Sequence, residues 1–173
     1  IKRQIWFLKK LIIWNQNLDP MKQLKLTVLF LMINFGGLAL GSWLMNNGPT
    51  TSWYVNLNQA PWTPEGWVFG VAWTSIMICF SIYLGKLFAL NNNSKLISIF
   101  GIHFVLNVGW NYIFFNQHLL FFGLITLILL TSLICYYFFS LSSKITYYKY
   151  LLLPYMLWLC IATSLNLYIL IHN

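Results

Sequence analysis

The chain has 173 residues, of which 60% are hydrophobic and only 7% are charged. Soluble domains carry about 25% charged residues, so this composition is typical of a membrane protein and excludes an ordinary soluble fold. The apolar runs are continuous, whereas the strands of a lipid-embedded β-barrel alternate polar and apolar residues, so a barrel is excluded as well.

Apolar segments long enough to cross a bilayer as helices follow one another along the chain. A hydrocarbon core of about 30 Å requires roughly 20 residues of helix, and five segments meet this requirement: about 26–45, 67–90, 96–115, 119–141 and 150–171. The sequence thus predicts an all-α integral membrane protein, a five-transmembrane-helix bundle in residues 21–173. Residues 1–20 are expected to be an N-terminal extension, either foreign to the native protein or an interfacial helix on the membrane surface.

The ten Lys and Arg residues all fall on one side of the predicted bundle. Six precede the first span, and the others flank the second and fourth connections: Lys86, Lys95, Lys144 and Lys149. The positive-inside rule places this side, with the N-terminus, in the cytoplasm. The formal net charge of +8 therefore reflects topology, and no nucleic-acid partner is expected.

The first span contains Gly37 and Gly41, a small-xxx-small pair that lets another helix approach closely. This pair is interpreted either as the seam of a homodimer or as a contact with a helix of the same subunit.

The first connection ends in a predicted helix start. Thr63 is the predicted N-cap and Pro64 the first helical residue, so the second helix should begin just after Trp62. Trp62 and Trp67 are explained by this position as anchors at the membrane interface.

Polar side chains inside the spans are informative, because each needs a partner or a cavity in hydrocarbon. His103, Asn107 and Asn111 form one stripe on the third span, with Trp110 beside it. The two Asn residues are interpreted either as interhelical hydrogen-bonding groups or as the wall of a ligand cavity. His103 is a candidate contact or axial ligand for a metalloporphyrin, and no pattern predicts a resident metal site.

Two other spans have faces suited to a flat ligand. In the fifth span, Trp158, Ala162 and Asn166 recur every four residues and form a notch with an aromatic edge. In the second span, Gly70 leaves open room beside Trp73.

Three stretches, in this order, together resemble the TspO/MBR family of tryptophan-rich sensory proteins and translocator proteins: "WYVNLNQAPWTPEGWVFGVAW" (53–73), "LNVGWNYIFF" (106–115) and "PYMLWLCIATSLN" (154–166). The resemblance runs from about Met21 to the end. It implies a five-helix bundle, often a homodimer, with a cavity that opens toward the first loop. It also implies protoporphyrin IX or haem as ligand, with no intrinsic cofactor.

The resemblance carries six candidate ligand-binding residues onto this chain by motif: Trp73, Asn107, Trp110, Trp158, Ala162 and Asn166. His103, together with Trp62 and Trp67 as the expected lid and rim of the cavity, completes this set. Some bacterial members of the family are reported to degrade protoporphyrin in light with two cavity tryptophans, which correspond to Trp73 and Trp158.

The chain departs from the family pattern in two places. The usual "KPxWxPP" appears here as "QAPWTPE", which lacks the Lys that could contact a porphyrin propionate and has Glu65 in place of a Pro. After Tyr168 no Lys or Arg follows, as the family's sterol motif requires, so cholesterol is not an expected partner.

The leading functional hypothesis is a membrane receptor or sensor that binds porphyrins and similar flat hydrophobic ligands. Light-dependent porphyrin degradation by Trp73 and Trp158, or transport of tetrapyrroles or lipids, are the alternatives. A conventional enzyme is not expected, because Asp19 and Glu65 are the only acidic side chains. The Lys- and Asn-rich, Arg-poor composition favours a bacterial protein of the cytoplasmic membrane.

Overall fold

The computed structural model describes residues 19–173, apart from the side chains of residues 143 and 144. Regular structure in this part of the chain is helical, and five helices are long and apolar enough to cross a membrane. They are α1 (Pro20–Leu44), α2 (Gly66–Leu90), α3 (Ser94–Asn111), α4 (Leu120–Phe139) and α5 (Leu153–His172). The predicted five-helix membrane fold is therefore confirmed, whereas the expectations for residues 1–18 lie outside the described residues.

The helix ends are set by local capping. α1 begins earlier than predicted, because the Asp19 side chain accepts a hydrogen bond from the Met21 N–H at 2.9 Å and Pro20 takes the first helical position. α3 continues into a π-helical turn (Tyr112–Asn116), and a 3₁₀ turn (Tyr148–Leu152) leads into α5.

The predicted N-cap of α2 was wrong by two residues. Thr63 does not cap the helix, because both its backbone N–H and its hydroxyl donate to the carbonyl oxygen of Ala60, at 2.9 and 2.7 Å. The chain stays extended through Glu65, which is the N-cap residue, and α2 begins at Gly66. The Glu65 carboxylate accepts a hydrogen bond from the Trp67 indole at 2.7 Å.

The five helices form a closed ring in the order α1, α2, α5, α4, α3 and back to α1. At one end of the ring, Lys22 Nζ of α1 donates to the carbonyl oxygen of Ala89 at the end of α2, at 3.3 Å. At the same end, Lys86 Nζ lies 5.0 Å from the centre of the Tyr148 ring, just before α5. Basic side chains from successive helices thus meet at one end, as the charge pattern predicts.

α2 lies deepest in the core, and its contact with α1 is close. A Cβ at Gly85 of α2 would contact the hydroxyl and the backbone of Thr27 on α1, so only glycine allows this approach. One turn further along the interface, Asn34 Nδ2 donates to Ser81 Oγ at 2.8 Å between the two helices, and both residues are buried. This inner half of the bundle is therefore tightly packed.

The two glycines of the small-xxx-small pair face α3 of the same subunit. A Cβ at Gly37 would lie 2.7 Å from the ring of Phe104, and one at Gly41 would lie 2.7 Å from Asn111 Nδ2. The interpretation as an intrasubunit contact is thus confirmed, and a homodimer stays a prediction.

Candidate ligand cavity

A cavity of about 290 Å³ lies between α1, α2 and α3, toward the end of the bundle where the first loop joins α1 to α2. Its lining comes from all three helices: Gly37, Leu38, Ser42, Met45, Phe69, Gly70, Trp73, Thr74, Asn107 and Asn111. Ser42, Gly70 and Thr74 are exposed, so the cavity reaches the surface of the bundle.

The cavity wall is uncharged and includes open space beside an indole. All ten lining residues lack a formal charge, and the polar ones are hydroxyl or amide side chains. At Gly70 a Cβ would meet nothing within 4 Å, so one turn of α2 leaves a gap next to Trp73. Apolar walls with a few placed polar groups are typical of small-molecule sites.

Aromatic rings continue behind this wall into α5. Phe69, which lines the cavity, packs edge-on against Trp158, with ring centres 5.1 Å apart. Trp73 packs edge-on against Tyr155, with ring centres 5.9 Å apart. Trp158 itself is buried and is not among the lining residues. The two predicted cavity tryptophans therefore differ: Trp73 faces the cavity, and Trp158 lies behind Phe69.

A buried chain of hydrogen bonds connects the cavity with His103. The Tyr155 hydroxyl donates to Asn107 Oδ1 at 3.0 Å, and His103 Nε2 lies 3.0 Å from the same hydroxyl. His103 is 2% exposed and Tyr155 is 1% exposed, and neither lines the cavity. The structure therefore places His103 as a partner of Tyr155 in the core.

Three further predicted residues lie among α3, α4 and α5. Trp110 stacks on Phe114, with ring centres 5.3 Å apart. A Cβ at Gly123 of α4 would lie 3.0 Å from Asn166 Nδ2 and 3.2 Å from Phe114, so Asn166 and Phe114 share one small space. Ala162 is half-buried and packs against the hydrophobic core. These residues pack beside the cavity rather than line it.

The first loop lies at one end of the bundle and contacts the end of α3 and the last part of α5. Its single-turn helix (Ser52–Val55) places Trp53 on His118 after α3, with stacked ring centres 3.9 Å apart. Further on, Trp62 Nε1 donates to Ser164 Oγ of α5 at 3.2 Å. Trp62 and Trp67 are 54% and 67% exposed, which suits their prediction as interface anchors.

Tyr54 is the loop residue with a shifted pKa. Its ring packs against Phe114 and Phe115. Burial in this contact raises the pKa of the Tyr54 phenol above its usual value of 10.0, because desolvation disfavours the anion.

The structure thus brings only part of the predicted set to the cavity. Trp73 and Asn107 line it together with Asn111, while Trp158 lies behind Phe69, and His103 lies behind Asn107 and Tyr155. The sequence analysis missed Phe69 and Tyr155. Tyr155 precedes Trp158 by three residues on the same face of α5, so the helical period was the signal that could have found it. Within residues 19–173, no three His, Cys, Asp or Glu side chains lie together as a metal site would require.

Comparison with known proteins agrees with these features. The model of the TspO/MBR family matches residues 27–172. A tryptophan-rich sensory protein of Cereibacter sphaeroides is 26% identical over 66% of this chain and 72% of its own length. Protein CrtK of Rhodobacter capsulatus is 29% identical over 66% of this chain and 74% of its own length. A tryptophan-rich protein TspO of Archaeoglobus fulgidus is 30% identical over 70% of this chain and 80% of its own length. With a family match over most of its length and five membrane-spanning helices, the chain belongs to the TspO/MBR family.

Proposed function

We propose that this protein is a membrane receptor or sensor that binds porphyrins, such as protoporphyrin IX and haem, and similar flat hydrophobic ligands. The observation that carries the proposal is the uncharged cavity in which Trp73 and Phe69 flank the open space at Gly70. Membership of the family and the name of the sensory relative support the same role. The largely bacterial relatives favour the bacterial cytoplasmic membrane as its location.

The physical basis is stacking of a flat apolar ring on aromatic side chains. Each such contact contributes about 0.5–1.5 kcal/mol beyond the burial of apolar area. The propionates of a porphyrin need water or polar partners, so we place that edge toward the outer opening and the first loop. Together these contacts are sufficient for a dissociation constant in the micromolar range, which corresponds to a binding free energy of about 8 kcal/mol.

The size of the cavity adds a condition. Sites for drug-sized ligands measure about 300–1,000 Å³, and this cavity of about 290 Å³ is at the lower limit. A porphyrin therefore enters only in part, or widens the cavity by moving the first loop.

Titration of the purified protein with protoporphyrin IX in the dark, followed by tryptophan fluorescence, tests the proposal. We expect saturable quenching, and Trp73→Phe should weaken binding about 2- to 10-fold through the lost stacking area. Trp43→Phe is the matched control, because Trp43 is 74% exposed on α1 and is not among the lining residues. Quenching that does not saturate in the wild type would contradict the proposal.

A second candidate function is light-dependent degradation of the bound porphyrin. It is supported by the position of Trp73 in the wall and of Trp158 directly behind Phe69, because a ligand in the cavity would then have two indoles nearby. Illumination of the complex should then reduce the Soret absorbance of protoporphyrin IX in the wild type, and much less in Trp73→Phe and Trp158→Phe. Unchanged absorbance in the wild type would leave binding alone as the function.

A further inference from the structure

We infer that His103 and Tyr155 are positioning residues that fix the side-chain amide of Asn107 with its NH₂ group toward the cavity. The cavity then selects ligands that carry a neutral hydrogen-bond acceptor, such as a carbonyl group, on their buried edge. This inference rests on the proposed function, because it concerns the selectivity of the same cavity.

The donors and acceptors of the chain can be assigned. A hydroxyl has one hydrogen, and that of Tyr155 is donated to Asn107 Oδ1 at 3.0 Å. The contact of 3.0 Å between the Tyr155 hydroxyl and His103 Nε2 therefore needs a hydrogen from His103. The proton of the neutral imidazole is then on Nε2, and Nδ1 carries only a lone pair.

The burial of His103 favours this assignment over the reverse one. With the amide of Asn107 turned over, Tyr155 would donate to Nε2, and the imidazole proton would be on Nδ1. His103 Nδ1 is buried and has no hydrogen-bond partner. A buried N–H without an acceptor is rarer in proteins than an under-used acceptor, so the proton belongs on Nε2 and the Asn107 oxygen belongs against Tyr155.

With the Oδ1 of Asn107 bound to Tyr155, the NH₂ group on its Nδ2 is left for the cavity. Asn107 lines the cavity, and within residues 19–173 its Nδ2 donates to no protein group. Phe80 and Phe100 pack against the His103 ring, and Trp73 packs against the ring of Tyr155. These contacts hold both partners in place, so the amide can turn only if the whole chain of hydrogen bonds reverses, which would put the imidazole proton on the unpartnered Nδ1 of His103.

The chemistry of the selected group follows from the lining. A carboxylate at this depth would lose its hydration without meeting an opposite charge, which is costly, and all lining residues are uncharged. A neutral carbonyl oxygen can accept from the NH₂ group at little desolvation cost.

Two porphyrins make a matched pair of probes. Mesoporphyrin carries two ethyl groups on the edge opposite its propionates, and diacetyldeuteroporphyrin carries two acetyl groups there. Both should keep their propionates toward the loop, so they differ only in the acceptor presented to Asn107. The affinity ratio of the two, from tryptophan fluorescence titrations in the dark, is the measured quantity. Thermal melting of each variant checks that it is folded.

We expect the wild type to prefer the diacetyl compound about fivefold, as one net hydrogen bond gives. Asn107→Leu should lower the ratio to about one. Tyr155→Phe and His103→Leu should each lower it to about twofold or less, because the amide then turns freely. His103→Gln should retain the preference, since its side-chain N–H can still donate to Tyr155. Tyr83→Phe, which removes another buried hydroxyl that bonds Ser142, should retain it as well.

Each result of these titrations either supports or overturns the role of His103 and Tyr155 in positioning Asn107. A merely structural role of Tyr155 would change both affinities equally, so an unchanged fivefold ratio in Tyr155→Phe would overturn the inference. Equal affinities in the wild type would overturn it too, while leaving porphyrin binding intact. Saturable binding of neither compound would overturn the proposed function together with this inference.

Discussion

Replacement of Gly70 by Leu should block the cavity without harming the fold. Gly70 is an exposed helical residue, and a Cβ there meets nothing within 4 Å. Gly70 lines the cavity of about 290 Å³, so the four carbons of an added Leu side chain should occupy part of the space beside Trp73. Leu is also a better helix former than Gly by about 0.8 kcal/mol, which should raise Tm by about 2–3 °C.

The assay is a titration with protoporphyrin IX next to a thermal melt. We expect Gly70→Leu to bind at least tenfold more weakly than the wild type, while its Tm is equal or higher. Gly101→Leu is the matched control, because Gly101 of α3 is also exposed with nothing within 4 Å, and it does not line the cavity. Wild-type affinity in Gly70→Leu would show that the porphyrin binds elsewhere, and equal loss in Gly101→Leu would show that the effect is not local.

Three further predictions follow from the packing of α1 and of the first loop. Gly85→Ala should lower stability by about 1–3 kcal/mol, seen as a lower Tm, because its Cβ would press on the Thr27 backbone nitrogen at 2.9 Å. Burial of Tyr54 raises the pKa of its phenol, because the closed loop accepts only the neutral form. Its contribution to loop stability is therefore complete below the unfolded pKa of about 10 and is lost as the pH rises through the raised pKa. After correction for base-catalysed intrinsic exchange, the protection of the loop amides should therefore fall at strongly alkaline pH in the wild type but not in Tyr54→Phe. Trp62→Phe removes the hydrogen bond to Ser164 and should speed loop exchange about twofold to tenfold at neutral pH; an unchanged rate would contradict that tether.

The helices could be predicted from the sequence, but their order around the ring could not. Apolar length alone identifies a membrane span, which is why all five spans were found. In a membrane, however, the faces toward lipid and toward other helices are both apolar, so Trp43, exposed on α1, and Phe80, enclosed on α2, have the same character in the sequence. Glycines gave better information, because Gly37 and Gly41 mark where α3 comes close.

The candidate site was predicted in part for the same reason. Asn107 and Trp73 were found because polar and bulky residues in a span demand a partner. Tyr155 was missed because its partner His103 is 52 residues away in the sequence. His103 lies on α3, and only the folded bundle brings it next to Tyr155 on α5. Thr63 was wrongly predicted as the N-cap, because a hydroxyl that can cap a helix can equally close a turn on a nearby carbonyl, here that of Ala60.

The widening that a porphyrin requires should come from the first loop rather than from the helices. In the inner half, α1 and α2 are joined by the close contact at Gly85 and by the buried Asn34–Ser81 hydrogen bond. Separating the two helices would leave cavities between them, at a cost in stability of several kcal/mol. The loop is attached by the aromatic contacts of Trp53 and Tyr54 with the end of α3 and by exposed hydrogen bonds of Asn58 and Trp62 with α5, each worth about 0.5–1.5 kcal/mol. Because the loop contacts are the weaker set and the loop joins α1 and α2 at the end of the bundle that holds the cavity, ligand binding should be coupled to loop movement while the inner half stays fixed.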